Sequence, residues 1–145
     1  MNKKLTGLLF LAFASIGFVG CIDQENTIDA IFERDTKAIE EYIETSSIVN
    51  VREVVDVRGV TVIWQELSGS GKSVFPTDTI RTEYTGRLLT DEVFDTSIEA
   101  VARENNIFEQ GRTYQPLRFP VGRNLVIPGF ELGLSFMEEG DKATI

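Results

Sequence analysis

The sequence predicts an α+β domain, an antiparallel sheet packed on a short helix. Three observations predict it. Helical periodicity marks an early stretch and a late one, β-branched or alternating stretches fill the middle, and Gly-containing turns separate them. No repeat or low-complexity segment interrupts this order.

The 145 residues suffice for one globular domain with a segment or two outside it. The chain opens with "MNKK", a positive start, and continues with the apolar "LTGLLFLAFASIGFVG" up to Cys21. That apolar run falls short of the roughly 20 residues a bilayer span needs. Its layout predicts a secretory signal over residues 1–20. "FVGC" resembles the bacterial lipoprotein lipobox, with Phe18 where leucine is usual, and the resemblance implies lipidation of Cys21. An uncleaved anchor with an incidental cysteine is the alternative. The acidic "IDQE" that follows is of the kind found after the cysteine in some surface-exported lipoproteins.

Residues 21–56 are expected to hold the lipidated cysteine, a linker and an amphipathic helix. "NTIDAIFERDTKAIEEYI" sets Ile28, Ile31, Phe32, Ile39, Tyr42 and Ile43 at helical spacing. Asn26 and Asp29 are placed like a capping pair, and Glu33 and Lys37 stand four apart. The helix reads as a spacer packing on the next domain or as a dimerisation helix. Its shortness favours the spacer.

From Val57 to Leu67 the chain is β-branched and aromatic, and "SGSGKS" then turns it. That turn lacks phosphate-loop spacing, because Gly69 and Gly71 are only two apart. "TIRTEYTGRLL" alternates as a half-buried strand with Ile80, Thr82 and Tyr84 on one face, and "TDE" turns into "VFDTS". A short helix is predicted from Ile98 to Asn105, a strand in "PLRFPVG", and a final helix from about Phe130 to Glu138.

Composition narrows the chemistry. A formal net charge of −9 without a basic stripe argues against a nucleic-acid partner. No histidine occurs, which removes Ser-His and Cys-His catalysis and His-ligated metals. A single cysteine forms no internal disulfide. Asp91 and Glu92 in a turn, and Glu138, Glu139 and Asp141 near a helix end, read as solvated. Any enzyme here must work without a strong base, a metal or a covalent nucleophile.

Five segments fit that requirement together. "YTGRL" (Tyr84 to Leu88), "VFDTS", "PLRFPVG", "VIPGFELGL" and "MEEGDKATI" occur in this order. They resemble the FKBP-type peptidyl-prolyl isomerases over roughly Gly59 to Ile145. The resemblance implies a bent antiparallel sheet wrapped around one short helix, an FKBP-like domain over residues 57–145, and no cofactor. It implies catalysis by Tyr84, Phe94, Asp95 and Phe130 and substrate binding by Leu117, Val126 and Ile127. Phe130 stands where the family usually has tryptophan, and Leu117 replaces a common aromatic. Arg103 is the candidate for an arginine often found in the connection from Ile98 to Gln115. Taken singly, Val126, Ile127, Phe130, Tyr84 and Phe94 also read as core, and Asp95 as a turn cap.

The chemistry suits such a pocket. An X-Pro bond rotates slowly because its amide is resonance-stabilised, and an apolar cup that binds the twisted form better than the planar one speeds rotation. The expected partners are proline-containing peptides or unfolded envelope proteins, an FKBP macrolide, and a membrane through a lipid anchor. A non-catalytic FKBP-like chaperone or peptide-binding lipoprotein is the rival, and a lipoprotein serving assembly only is a third. In the family, the segment matching "EEGDKATI" leads into a strand, a loop with a pocket tyrosine and a closing strand. Ending at Ile145, the chain is expected to be a C-terminally truncated copy, destabilised and at most weakly active.

Overall fold

The computed structural model describes residues 27–145. The expected signal segment and Cys21 lie outside the described residues. Elements follow in the order α1 (Ile28–Thr45), β1 (Arg52–Asp56), β2 (Val60–Glu66), β3 (Thr79–Thr82), β4 (Thr85–Arg87), β5 (Val93–Thr96), α2 (Glu99–Glu104), β6 (Leu117–Pro120), α3 (Pro128–Leu134) and β7 (Lys142–Thr144). The α+β class holds, and all strand pairs are antiparallel.

The cap of α1 is Thr27, whose Oγ1 accepts from Ala30 N–H at 3.2 Å; Asn26 of the expected Asn26–Asp29 pair lies outside the described residues. The Thr27 hydroxyl reaches the orphan N–H three residues on. The Glu33–Lys37 pair does not form; Lys37 reaches Glu41 at 3.8 Å, one turn in the other direction. No residue of α1 is buried, so the helix rests on the domain rather than inside it. Phe32 lies over Gly59 in the β1–β2 turn, where φ is +83° and an added Cβ would stand 2.6 Å from Phe32 Cε2. Tyr42 donates to Asp91 Oδ1 at 2.7 Å. Asp91 is therefore a docking partner of α1, not merely a solvated turn residue.

The strand expected at Val57–Leu67 is β2, preceded by β1, which the sequence reading did not separate. β2 is the middle strand of the order β1-β2-β7. Val62, Ile63 and Trp64 are buried there on successive positions, as a strand covered on both faces requires. "TIRTEYTGRLL" is two strands instead of one. β3 pairs β6, with Ile80 opposite Phe119, and β4 pairs β5, with Gly86 opposite Asp95. Tyr84 sits at the break, so the chain changes partner at that residue.

Phe119, Val121 and Leu134 form a buried cluster, and Val74, Ile80, Leu117, Val126, Phe130 and Met137 pack on it. Thus α3 lies against β6 and its loop. The helix starts at Pro128, two residues before the expected Phe130, and ends at Leu134 rather than Glu138. Proline suits a first turn because its missing N–H would be unpaired there. The side chain of Ile145 covers Gly133 so closely that no Cβ fits. "SGSGKS" is a loop, as expected, with Gly69 and Gly71 at positive φ. Glu138 accepts from Gly71 N–H at 2.7 Å, and Glu139 pairs with Lys72 at 3.0 Å. Asp141 is no solvated rim residue: it accepts from Trp64 Nε1, Ser68 N–H and Glu138 N–H.

Candidate functional site

The break between β3 and β4 is held by hydrogen bonds from the end of β5. Tyr84 N–H donates to Ser97 Oγ at 2.9 Å, and Tyr84 carbonyl accepts from Ser97 N–H at 3.0 Å and from Thr96 Oγ1 at 2.9 Å. Thr96 and Ser97 are buried, and these bonds satisfy their polar groups. Two short polar side chains thereby replace the ladder that the break removes, and they fix where the Tyr84 ring points.

Tyr84 donates its hydroxyl to Asp95 Oδ2 at 2.5 Å. The other carboxylate oxygen accepts from Arg112 Nη2 at 2.7 Å and from Thr96 N–H at 2.9 Å. Arg112 Nη2 also donates to Thr96 carbonyl at 3.1 Å. Burial acts to raise the Asp95 carboxyl. The hydrogen bonds from Tyr84 and Arg112, the charge of Arg112 and the Thr96 N–H outweigh it and hold the carboxyl below its ordinary range. The Tyr84 phenol is pushed up by burial first, then by its bond to the Asp95 carboxylate and that group's charge. Near neutrality the pair is therefore a phenol donating to a carboxylate. With both oxygens engaged, Asp95 is a fixed charge rather than a mobile base.

The apolar side comes from α3 and β6. The Phe130 ring lies 6.1 Å from the Tyr84 ring at 60°, a tilted aromatic pair. Leu117 and Val126 join Phe130 on the Phe119–Val121–Leu134 cluster. An open cleft of about 320 Å³ adjoins Tyr84, lined also by Ser97, Arg112, Gln115, Leu117 and Arg118. Tyr84 thus links Asp95 to Phe130, which packs on the same buried cluster as Leu117 and Val126; of these five residues, Tyr84 and Leu117 line the cleft itself.

Phe94 and Ile127 stand apart from that group. Phe94 is 54% exposed, and its ring covers Gly86 on the neighbouring strand. Ile127, 70% exposed, is the cap residue of α3 and offers backbone rather than a buried side chain. Arg103, expected near the site, pairs instead with Glu99 at 2.7 Å and covers Phe108. The arginine that reaches Asp95 is Arg112, which the sequence reading missed. It sits in the irregular stretch between α2 and β6, where periodicity carries no signal. Its helical rival Arg103 lay in a stretch that periodicity does mark. No group of three His, Cys, Asp or Glu residues that would hold a metal occurs among the described residues.

Residues 71–145 match the family model described as FKBP-type peptidyl-prolyl cis-trans isomerase. A "Short-type peptidyl-prolyl cis-trans isomerase" of Methanocaldococcus jannaschii is 46% identical over 54 residues, 37% of this chain and 34% of that protein. An "FK506-binding protein 2" of Yarrowia lipolytica is 38% identical over 65 residues, 45% of this chain and 36% of that protein. The chain spans about a third of the length of these curated relatives. The family match covers just over half of the 145 residues and includes all five of these residues, Tyr84, Asp95, Leu117, Val126 and Phe130, so the chain belongs to the FKBP-type peptidyl-prolyl cis-trans isomerase family.

Proposed function

We propose that this chain catalyses cis–trans isomerisation of X-Pro peptide bonds. One observation carries the reading: an aromatic pair, Tyr84 and Phe130, stands beside a carboxylate, Asp95, held by bonds on both oxygens. Water stabilises the planar amide by hydrogen-bonding its charge-separated form, so removing water from the amide lowers the barrier to twist. The proline ring lies against Phe130, Leu117 and Val126. Tyr84, oriented by Asp95, forms the polar edge of the cup, and the backbone at Ile127 receives the peptide. That role suits a residue whose side chain is largely exposed. Phe94 then forms an outer rim over Gly86 rather than an inner wall.

The mechanism needs no proton transfer, and no histidine exists to perform one. The carboxylate acts by position and charge. A macrolide of the kind named for the Yarrowia relative is a second expected ligand of the same cup. From the sequence of residues 1–21 we further propose lipid anchoring at Cys21 in a bacterial envelope, where the substrates are proline-containing segments of folding envelope proteins. No described helix is long and apolar enough to cross a membrane.

The test is acceleration of cis–trans exchange in a prolyl tetrapeptide. Exchange faster than in buffer alone, inhibited by the macrolide, supports the reading. Peptide binding with no acceleration would favour the chaperone, and no binding of either ligand would favour an assembly lipoprotein.

A further inference from the structure

Arg103 near the end of α2, and Phe108, Arg112 and Tyr114 in the connection to β6, form a row of guanidinium and aromatic groups. Arg103 places its guanidinium carbon 3.5 Å from the Phe108 ring centroid. Phe108 stacks on Tyr114, with centroids 5.7 Å apart and planes at 17°. The guanidinium carbon of Arg112 lies 5.1 Å from the Tyr114 centroid. Both ends are tied down, Arg103 by Glu99 at 2.7 Å and Arg112 by Asp95 at 2.7 Å. Tyr114 also accepts from Glu109 N–H at 3.0 Å through its hydroxyl, which closes the loop between the two rings.

Neither ring belongs to the buried cluster under α3. Both are only half-buried, yet each stacks on the other and has a guanidinium near its ring. The geometry explains what they do for Arg112. An arginine has many rotamers, and pinning it to one carboxylate costs conformational entropy. A flat aromatic face restricts a planar guanidinium and attracts its charge. Gly111, with φ of +92° and open space around it, gives the backbone turn that aims the next residue back at Asp95.

We infer that Tyr114 and Phe108 are positioning residues, which hold Arg112 against Asp95 and so fix the Tyr84 hydroxyl at the polar edge of the cup. The inference rests on the proposed isomerase reading for its catalytic consequence alone. The groups facing the Asp95 carboxylate are the Tyr84 hydroxyl, the Arg112 guanidinium and the Thr96 N–H. Of these, the stack supports only Arg112.

The experiment follows the Asp95 carboxyl through an NMR pH titration in the chain and in Tyr114→Leu, Phe108→Leu and Tyr114→Phe. Both leucine variants remove an aromatic face, so Asp95 should titrate at higher pH, nearer its ordinary 3.8. Tyr114→Phe keeps the ring and should titrate like the parent. Turnover of prolyl peptide should fall about three- to tenfold in the leucine variants and stay near parental in Tyr114→Phe. In an Asp95→Asn background, Tyr114→Leu should cost no further turnover.

Unchanged Asp95 titration in folded leucine variants overturns the inference, as does Tyr114→Phe shifting as far as Tyr114→Leu. If Tyr114→Leu does not fold, Phe108→Leu decides. Unfolding of both would make the rings structural supports and would also overturn it. A shifted titration in a chain that isomerises nothing upholds the positioning role and removes the isomerase reading.

Discussion

The indole N–H of Trp64 donates to Asp141 Oδ2 at 2.8 Å, joining the middle of β2 to the turn before β7 across 77 residues. The other oxygen of Asp141 accepts from Ser68 N–H at 2.8 Å and from its hydroxyl at 2.9 Å. One carboxylate thus ties together a fully buried tryptophan, the loop after β2 and the end of the α3 segment. Replacing Asp141 with alanine leaves the indole N–H without its acceptor. The cost should be about 1–3 kcal/mol in chemical denaturation, whereas Glu139→Ala at an exposed ion pair should cost well under about 1 kcal/mol.

Acid should expose the same arrangement. Burial acts to raise the Asp141 carboxyl, but the backbone N–H groups of Glu138 and Ser68, the indole and the Ser68 hydroxyl bring it below its ordinary value. Asp95 is lowered as well, by Tyr84 and Arg112 against burial. A carboxyl depressed in the folded state contributes stability above its unfolded value of 3.8 and loses it as pH falls through the folded value. The melting temperature should therefore change little from neutrality to about pH 5, and drop below about pH 4. In Asp141→Asn the drop should be shallower. A melting temperature that rises on acidification would contradict these two assignments.

The dock of α1 is equally testable. Phe32 covers Gly59, which stands at φ +83°, so Gly59→Ala introduces both a strained backbone and a clash. The change should cost about 1–3 kcal/mol and speed hydrogen exchange in α1 more than in β2. Uniform acceleration across the chain would mean that α1 does not open separately.

Several elements were legible in the sequence because their signals are local. The period of Ile28 to Ile43 located α1, β-branched residues located β2, and the turn at "TDE" located the β4–β5 hairpin. Tyr84, Asp95, Leu117, Val126 and Phe130 became a site only through the order of five motifs. Each residue alone also fits a core or a turn. What was missed depends on distant partners. Arg112 lies 17 residues from Asp95 in a stretch without periodicity. The split between β3 and β4 depends on Thr96 and Ser97 bonding back to Tyr84. Asp141 looked like a rim carboxylate because its partners, Trp64 and Ser68, precede it by more than seventy residues.

Lipid anchoring at Cys21 has its own check. In a bacterial host, a fatty-acid probe should label the chain, and Cys21→Ala should abolish labelling and leave a soluble or unprocessed protein. Persistent labelling of the Cys21→Ala protein would place the lipid elsewhere.

The most direct test of the central claim is the catalysed exchange rate of a prolyl tetrapeptide with the chain, Asp95→Ala, Phe130→Ala and the outer-helix change Glu40→Ala. Folding of each variant is confirmed first, because truncating a packed phenylalanine alone costs about 3–5 kcal/mol. The account predicts acceleration by the parent, a fall of about tenfold or more in Asp95→Ala and Phe130→Ala, and parental turnover in Glu40→Ala. A folded parent that exchanges the peptide no faster than buffer, or three variants that behave alike, would contradict it.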